Sequence, residues 1–273
     1  MFFIKMKCRK VFYCGMLFFL LCGNCFSAEV KRVVSLSPAV TELICHLGRG
    51  SVLVARSSVC NYPAGVEKLP SAGDFARPDT AKILALKPDL VISNDLIVPA
   101  AAENFRRAGI RFLLIPCRNM TDYCKMTALF GKELNAEKAA AKEIARIEKT
   151  LSLFKQQKKL KKRVLALVWH KPAVAAGENT ILTELISLAG GENCTFNGVQ
   201  GYFKAAPKFL LNCGADTLLV FSPVEAYLRH PVLKNLEAVR KKRVIYFENS
   251  DVFQRPGPRF FEGVEKLRKA LEK

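Results

Sequence analysis

The chain has 273 residues, half of them hydrophobic, with a formal net charge of +19 and ten cysteines. That length suits one large domain or two smaller ones, and the apolar share supports a sizeable core. The lysine-rich runs at residues 155–162 and 240–243 lack interleaved aromatics and each abuts a predicted strand, which argues against a nucleic-acid site.

The first 28 residues read as a secretory signal. Lys5, Lys7, Arg9 and Lys10 precede an apolar run over residues 11–21, too short for a membrane span, and small residues end at Ser27-Ala28. Cleavage there releases an exported protein, or Cys25 carries a lipid and tethers it to the outer face of the membrane. Without those four cations the balance is 39 Lys plus Arg against 24 acids, a charge of +15. Six cysteines then remain: Cys45, Cys60, Cys117, Cys124, Cys194 and Cys213. An exported chain permits disulfides among them, in a connectivity the sequence does not choose, and with no C-x-x-C pair a zinc knuckle is not expected.

From residue 32 onward, short apolar runs alternate with helical patterns. Residues 32–37 (RVVSLS), 52–55, 90–93 and 112–116 are predicted strands, with helices over 41–47, 80–86 and 100–108 between them. Residues 135–160 contain neither Gly nor Pro. Ala140, Ile144, Ile147, Leu151 and Phe154 recur there in steps of four and three, one apolar stripe on a long helix. Beyond it, strands are predicted over 163–169 (RVLALVW), 217–221 and 244–247, and helices over 181–189, 207–212 and 257–271. Strands alternating with helices imply parallel α/β sheets. Residues 83–92 (ILALKPDLVI) also align with 210–219 (LLNCGADTLL), so the two halves repeat one design around the long helix. The expected fold is therefore α/β, two Rossmann-like lobes with parallel sheets joined by one backbone helix, and ligands of such sheets bind beyond the strand carboxyl ends. The boundaries are a signal segment over 1–28, an N-terminal lobe over 29–134, the helix over 135–162 and a C-terminal lobe over 163–273.

No G-x-S-x-G, Gly-rich phosphate loop or H-E-x-x-H occurs, so an enzyme is not expected. The three histidines, His46, His170 and His230, make a multi-histidine metal site unexpected.

R-V-V-S-L-S-P-A-V-T-E-L, N-Y-P, G-D-F-A-R-P, I-L-A-L-K-P-D-L-V-I, A-G-G-E-N and R-P-G-P-R-F-F-E-G-V-E-K-L follow one another from Arg32 to Leu267. In that order they resemble the helical-backbone periplasmic binding proteins that serve ABC importers of vitamin B12, haem and iron–siderophores. The resemblance implies a monomer that takes a small-molecule ligand from the inter-lobe cleft to a membrane permease and its ATPase, with no catalytic cofactor. A vitamin B12-like corrinoid is the first expectation, haem or an iron–siderophore the second, and a non-transport ligand-binding or signalling protein the third.

Residue by residue, the resemblance puts Ala39, Phe75, Tyr202, Asp251 and Arg255 at corrinoid contacts, while Val59, Asn94 and Val174 stand where aromatics are common. Position adds Tyr62 as a ligand face or loop anchor, with Phe203 as a further aromatic candidate. Trp169 and His170, at the carboxyl end of a predicted strand, stack on the ligand or pack under the sheet. His170 or Cys60 is a possible axial ligand to a bound metal, with a structural histidine and a buried thiol as the alternatives. The two permease-docking positions, usually Glu, are Ala81 and Lys208 here; nearby Asp79 is a substitute in the first lobe.

Overall fold

A computed structural model describes residues 29–74, 76–94, 99–195 and 198–273. The signal segment and Phe75 lie outside these residues. The N-terminal half builds β1 (Val33–Ser35), α1 (Pro38–His46), β2 (Leu53–Arg56), α2 (Thr80–Ala85), β3 (Leu90–Ser93), α3 (Pro99–Arg107) and β4 (Arg111–Leu114). Its strands pair in the order β2-β1-β3-β4, all parallel. Helices cover both faces, so β1 and β3 are buried throughout and read as apolar runs, without alternation.

Two helices follow, α4 (Met120–Glu133) and α5 (Glu137–Lys155), packed together across a tight turn at Asn135, whose φ is +52°. The C-terminal half then adds β5 (Arg163–His170), β6 (Ala173–Ala176), α6 (Ile181–Leu188), β7 (Glu192–Asn193), β8 (Tyr202–Lys204) and α7 (Pro207–Asn212). It ends with β9 (Thr217–Val220), α8 (Val224–Leu228), α9 (Glu237–Arg240), β10 (Val244–Tyr246), α10 (Asp251–Gln254) and α11 (Phe260–Leu271). Sheet order is β10-β9-β5-β6-β8, with β7 also on β5. The parallel pattern holds for β10, β9, β5 and β7, whereas β6 runs antiparallel to β5 and β8 runs antiparallel to β6. Residues 171–172 make a two-residue connection from β5 to β6, which only an antiparallel neighbour allows.

The internal repeat is physical. In the first lobe the Asp89 carboxylate accepts hydrogen bonds from the amides of Lys31 and Arg32, and the Arg32 guanidinium donates to the Leu86 and Lys87 carbonyls. In the second, Asp216 accepts from the Arg163 amide, and Arg163 donates to the Cys213 carbonyl. The strand registers match too: Val33 faces Leu90 in one sheet, Val164 faces Thr217 in the other.

The apolar stripe predicted over residues 135–160 is α5, shorter at both ends than expected. Its 19 residues span about 28 Å. The chain leaves the helix after Lys155 because Leu160 is drawn onto the other lobe, where its amide donates to the Gly190 carbonyl. Ala140, Ile147 and Phe154 of the stripe are buried. Phe154 stacks on Phe261 of α11 with centroids 5.5 Å apart. One continuous core runs from β1 and α1 through α4 and α5 to β5, α6 and α11, so the helical pair belongs to both lobes at once.

Candidate functional site

The carboxyl ends of both sheets open onto a shared cavity of about 500 Å³. Asn94 follows β3, Leu114 ends β4, and Pro116, Cys117 and Arg118 form the link to α4; these are the N-terminal lobe's walls. Across from them stand Val168 of β5, Asn179 to Ile181 at the start of α6, Gly201 and Tyr202 at β8, and Gln254 and Pro256 around the end of α10. Two helix starts are capped at this rim: the Asn119 side chain accepts from the Asp122 amide, and the Thr180 side chain from the Thr183 amide. Asn119 also donates to Asn179 across the cleft at 3.5 Å.

The lining is apolar with amide ends. Asn94, Asn179 and Gln254 supply carboxamides, Thr180 a hydroxyl, Tyr202 a half-exposed phenol ring, and Cys117 a thiol. Among the described lining residues Arg118 is the one cation, and none is an Asp or Glu. Among the described residues no acid forms an ion pair with its guanidinium. The Asn94 Oδ1 is buried and accepts no hydrogen bond from any described group. A buried acceptor left unpaired costs roughly 1–3 kcal/mol, so a donor reaching it from the cavity would be rewarded.

Beside the cavity the lobes are fastened by a charged network. Glu42 of α1, 2% exposed in its side chain, accepts two hydrogen bonds from Arg259, at 3.0 and 2.7 Å, and one from Arg255 at 3.2 Å. Arg255 also donates to Asn61 Oδ1 at 2.7 Å and pairs with Asp251 at 2.9 Å, while Asn61 donates to Asp251 at 2.8 Å. Glu42 and Asn61 belong to one lobe and the other three to the second. Two carboxylates meet two guanidinium groups, so the network is neutral, and removing one partner of such a buried set typically costs about 3–5 kcal/mol.

The candidate residues fall into separate groups. Tyr202 lines the cavity. Asp251 and Arg255 sit in the cross-lobe network, and their neighbours Gln254 and Pro256 reach the cavity instead. Tyr62 is stacked under Arg259, whose guanidinium carbon lies 3.7 Å from the ring centroid. Ala39 is buried in the first turn of α1. Trp169 is 52% exposed, donates from Nε1 to the Lys171 carbonyl and packs on His170, which meets Tyr227 edge-on; none of these three is in the cavity wall. Phe203 packs edge-on against Phe209. Cys60 is buried and hydrogen-bonded to Thr41 at 3.1 Å. Among the described residues no disulfide joins the six cysteines, and no cluster of three or more His, Cys, Asp or Glu is placed to hold a metal. Ala81 and Lys208 are exposed in the first turns of α2 and α7, related by the internal repeat. Sequence reasoning did not find Cys117, Arg118, Asn179, Thr180 or Gln254. A strand end before residue 116 and an N-cap signal at Asn119 were the available clues.

A cavity walled by two lobes and reached from solvent is built to hold a solute, which defines the class: a two-lobed solute-binding protein. The chain belongs to the periplasmic binding protein family, whose model matches residues 33–250; these are binding proteins and not enzymes. It is 26% identical over 255 residues to the uncharacterized ABC transporter substrate-binding lipoprotein YvrC of Bacillus subtilis (strain 168), covering 89% of this chain and 80% of that protein. It is 22% identical over 267 residues to the vitamin B12-binding protein of Pectobacterium atrosepticum, covering 94% and 93% respectively. Among solved structures, the periplasmic heme-binding protein RhuT from Roseiflexus sp. RS-1 in apo form superposes with a TM-score of 0.78 at 25% identity, over 89% of this chain and 98% of that one.

Proposed function

We propose that this protein captures a corrinoid, a vitamin B12-like ligand, in the inter-lobe cavity and delivers it to the permease of an ABC importer. The observation that carries the corrinoid reading is the unpaired Asn94 Oδ1 in a wall of carboxamides. A ring decorated with amide side chains brings N–H donors to that acceptor and acceptors to the Asn179 and Gln254 amides. A ring decorated with ionised carboxylates brings no donor at all. Tyr202 offers its face to the ring, and its neighbours Val168, Leu114 and Ile181 supply apolar area.

Arg118 favours a second reading, because a cation that pairs with no acid among the described lining residues suits an anionic ligand such as haem or a ferric siderophore. Calorimetric titration with cyanocobalamin, haemin and a ferric siderophore separates the two. Cobalamin is expected to bind tightest, with Tyr202→Ala and Asn94→Ala each weakening it about tenfold, or 1.4 kcal/mol. Tighter haemin or siderophore binding, lost on Arg118→Gln, replaces the corrinoid by the anionic ligand. If Tyr202→Ala leaves the affinity for the tightest ligand unchanged, the cavity is not the site.

Delivery is the reading that the names of the relatives support. With Ala81 and Lys208 at the docking positions, either the matching permease has changed to suit them or the coupling to import is unusual. Introducing Ala81→Glu and Lys208→Glu is expected to strengthen pull-down by an ordinary family permease, and no gain would remove those positions from the interface.

A further inference from the structure

The face of the C-terminal lobe opposite the cleft collects positive charge from stretches far apart in the chain. Five lysines between residues 155 and 162 lead from α5 into β5, and four cations at residues 240–243 lead into β10. Both stretches lie at strand amino ends, whereas the ligand cavity lies at the carboxyl ends. Between them is a second depression of about 460 Å³. Lys162, Lys242, Arg243 and Lys273 contribute to it, its apolar walls include Ile245 and Phe247, and among the described residues no Asp or Glu lines it. Among the described residues the ion pairs on this face are Lys241 with Glu237 and Arg268 with Glu272; the four cations of the depression take part in neither.

Cations around an apolar depression suit an amphipathic anion, with phosphate at the rim and hydrocarbon below. We propose that this face docks on an anionic phospholipid surface. Each Lys or Arg close to such a surface strengthens attraction roughly fivefold, and the attraction fades within a Debye length of about 10 Å at 0.1 M salt. The arrangement favours lipid over a protein partner because the charge is spread across a face, with few acids to define a register. Docking this way leaves the cleft directed away from the bilayer and open to solute. The proposal does not rest on which ligand the cleft takes.

Co-sedimentation of the purified protein with vesicles tests it. The protein is expected to bind vesicles of mixed phosphatidylcholine and phosphatidylglycerol at low salt, to release at high salt, and to ignore pure phosphatidylcholine. The triple variant Lys162→Glu, Lys242→Glu, Arg243→Glu should lose binding about a hundredfold, with its thermal unfolding unchanged. Lys138→Glu with Lys142→Glu, exposed on α5, should bind as the parent does. Equal binding to both vesicles, a control pair as impaired as the triple variant, or a triple variant that binds normally each overturns the proposal. Binding to soluble polyglutamate through the same three residues, without vesicle binding, would put an acidic protein in place of the lipid.

Discussion

Glu143 lies buried on α5 and accepts hydrogen bonds from Arg146 at 2.7 and 2.8 Å, from the Tyr123 hydroxyl at 3.0 Å, and pairs with His46 at 3.0 Å. Burial alone would raise its pKa, but the Arg146 and His46 contacts outweigh it and hold the carboxyl at about 2, against an ordinary 4.5. A carboxylate depressed in the folded state stabilises the fold fully above the unfolded value and loses that contribution as pH falls through the folded one. The contribution is about 3 kcal/mol at neutral pH and disappears between pH 4.5 and 2. Glu143→Gln should therefore lower stability at pH 7 and flatten the acid limb of a urea-denaturation series. An acid limb as steep in the variant as in the parent would show that another carboxylate carries it. The role of Glu143 was invisible in the sequence: its partners come from α1, α4 and its own helix, and only packing brings His46 to it.

At the scale of the elements, the α4–α5 contact sets how the spine is built. Gly131 of α4 faces Ala140 of α5, and a Cβ at 131 would stand 2.7 Å from the Ala140 Cβ. Ala gains about 1 kcal/mol of helix propensity over Gly, while overpacking costs about 1–3, so the clash wins. Gly131→Ala is expected to destabilise by about 1 kcal/mol in chemical denaturation despite the better helix former. Combined with Ala140→Gly, the loss should be smaller than the sum of the single variants; strict additivity would show that this contact does not limit the approach. Helix α4 is absent from the sequence-based expectations, although Met120, Tyr123, Met126 and Phe130 recur at helical spacing behind an Asn N-cap. The β6 and β8 strands were not legible. AVAA is short, small and apolar, and β8 covers three residues, so neither carries a periodicity to count.

For the whole molecule, the core that passes through α4 and α5 without interruption leaves few degrees of freedom between the lobes. The Glu42 network adds a second fastening, and Arg146 adds a third by donating to the Pro258 carbonyl at 2.9 Å. The cavity is therefore expected to be largely preformed. Solution X-ray scattering should show a change in radius of gyration below about 1 Å on ligand binding, against an overall value of roughly 18 Å; a larger contraction would mean that the network opens as a hinge.

By itself the sequence determined the class of fold, the stiff helix and the duplication, because all three are written in local periodicity and in motifs of adjacent residues. Arg32 with Asp89 and Arg163 with Asp216 even mark the repeat at matching places in each half. Tertiary structure decided the site. Asp251 and Arg255, placed by the resemblance at ligand contacts with a structural ion pair between them as the alternative, do pair with each other, and Glu42 and Asn61 draw them into a cross-lobe network. The cavity wall falls instead to Asn94, Arg118, Asn179 and Gln254, which come from four separate connections. The two lysine-rich runs, far apart in sequence, likewise meet where Lys162 joins Lys242 and Arg243 around one depression. Periodicity reports which face of an element is buried, but the meeting of loop ends depends on how two sheets are set across a shared core, and that is a property of packing at long range.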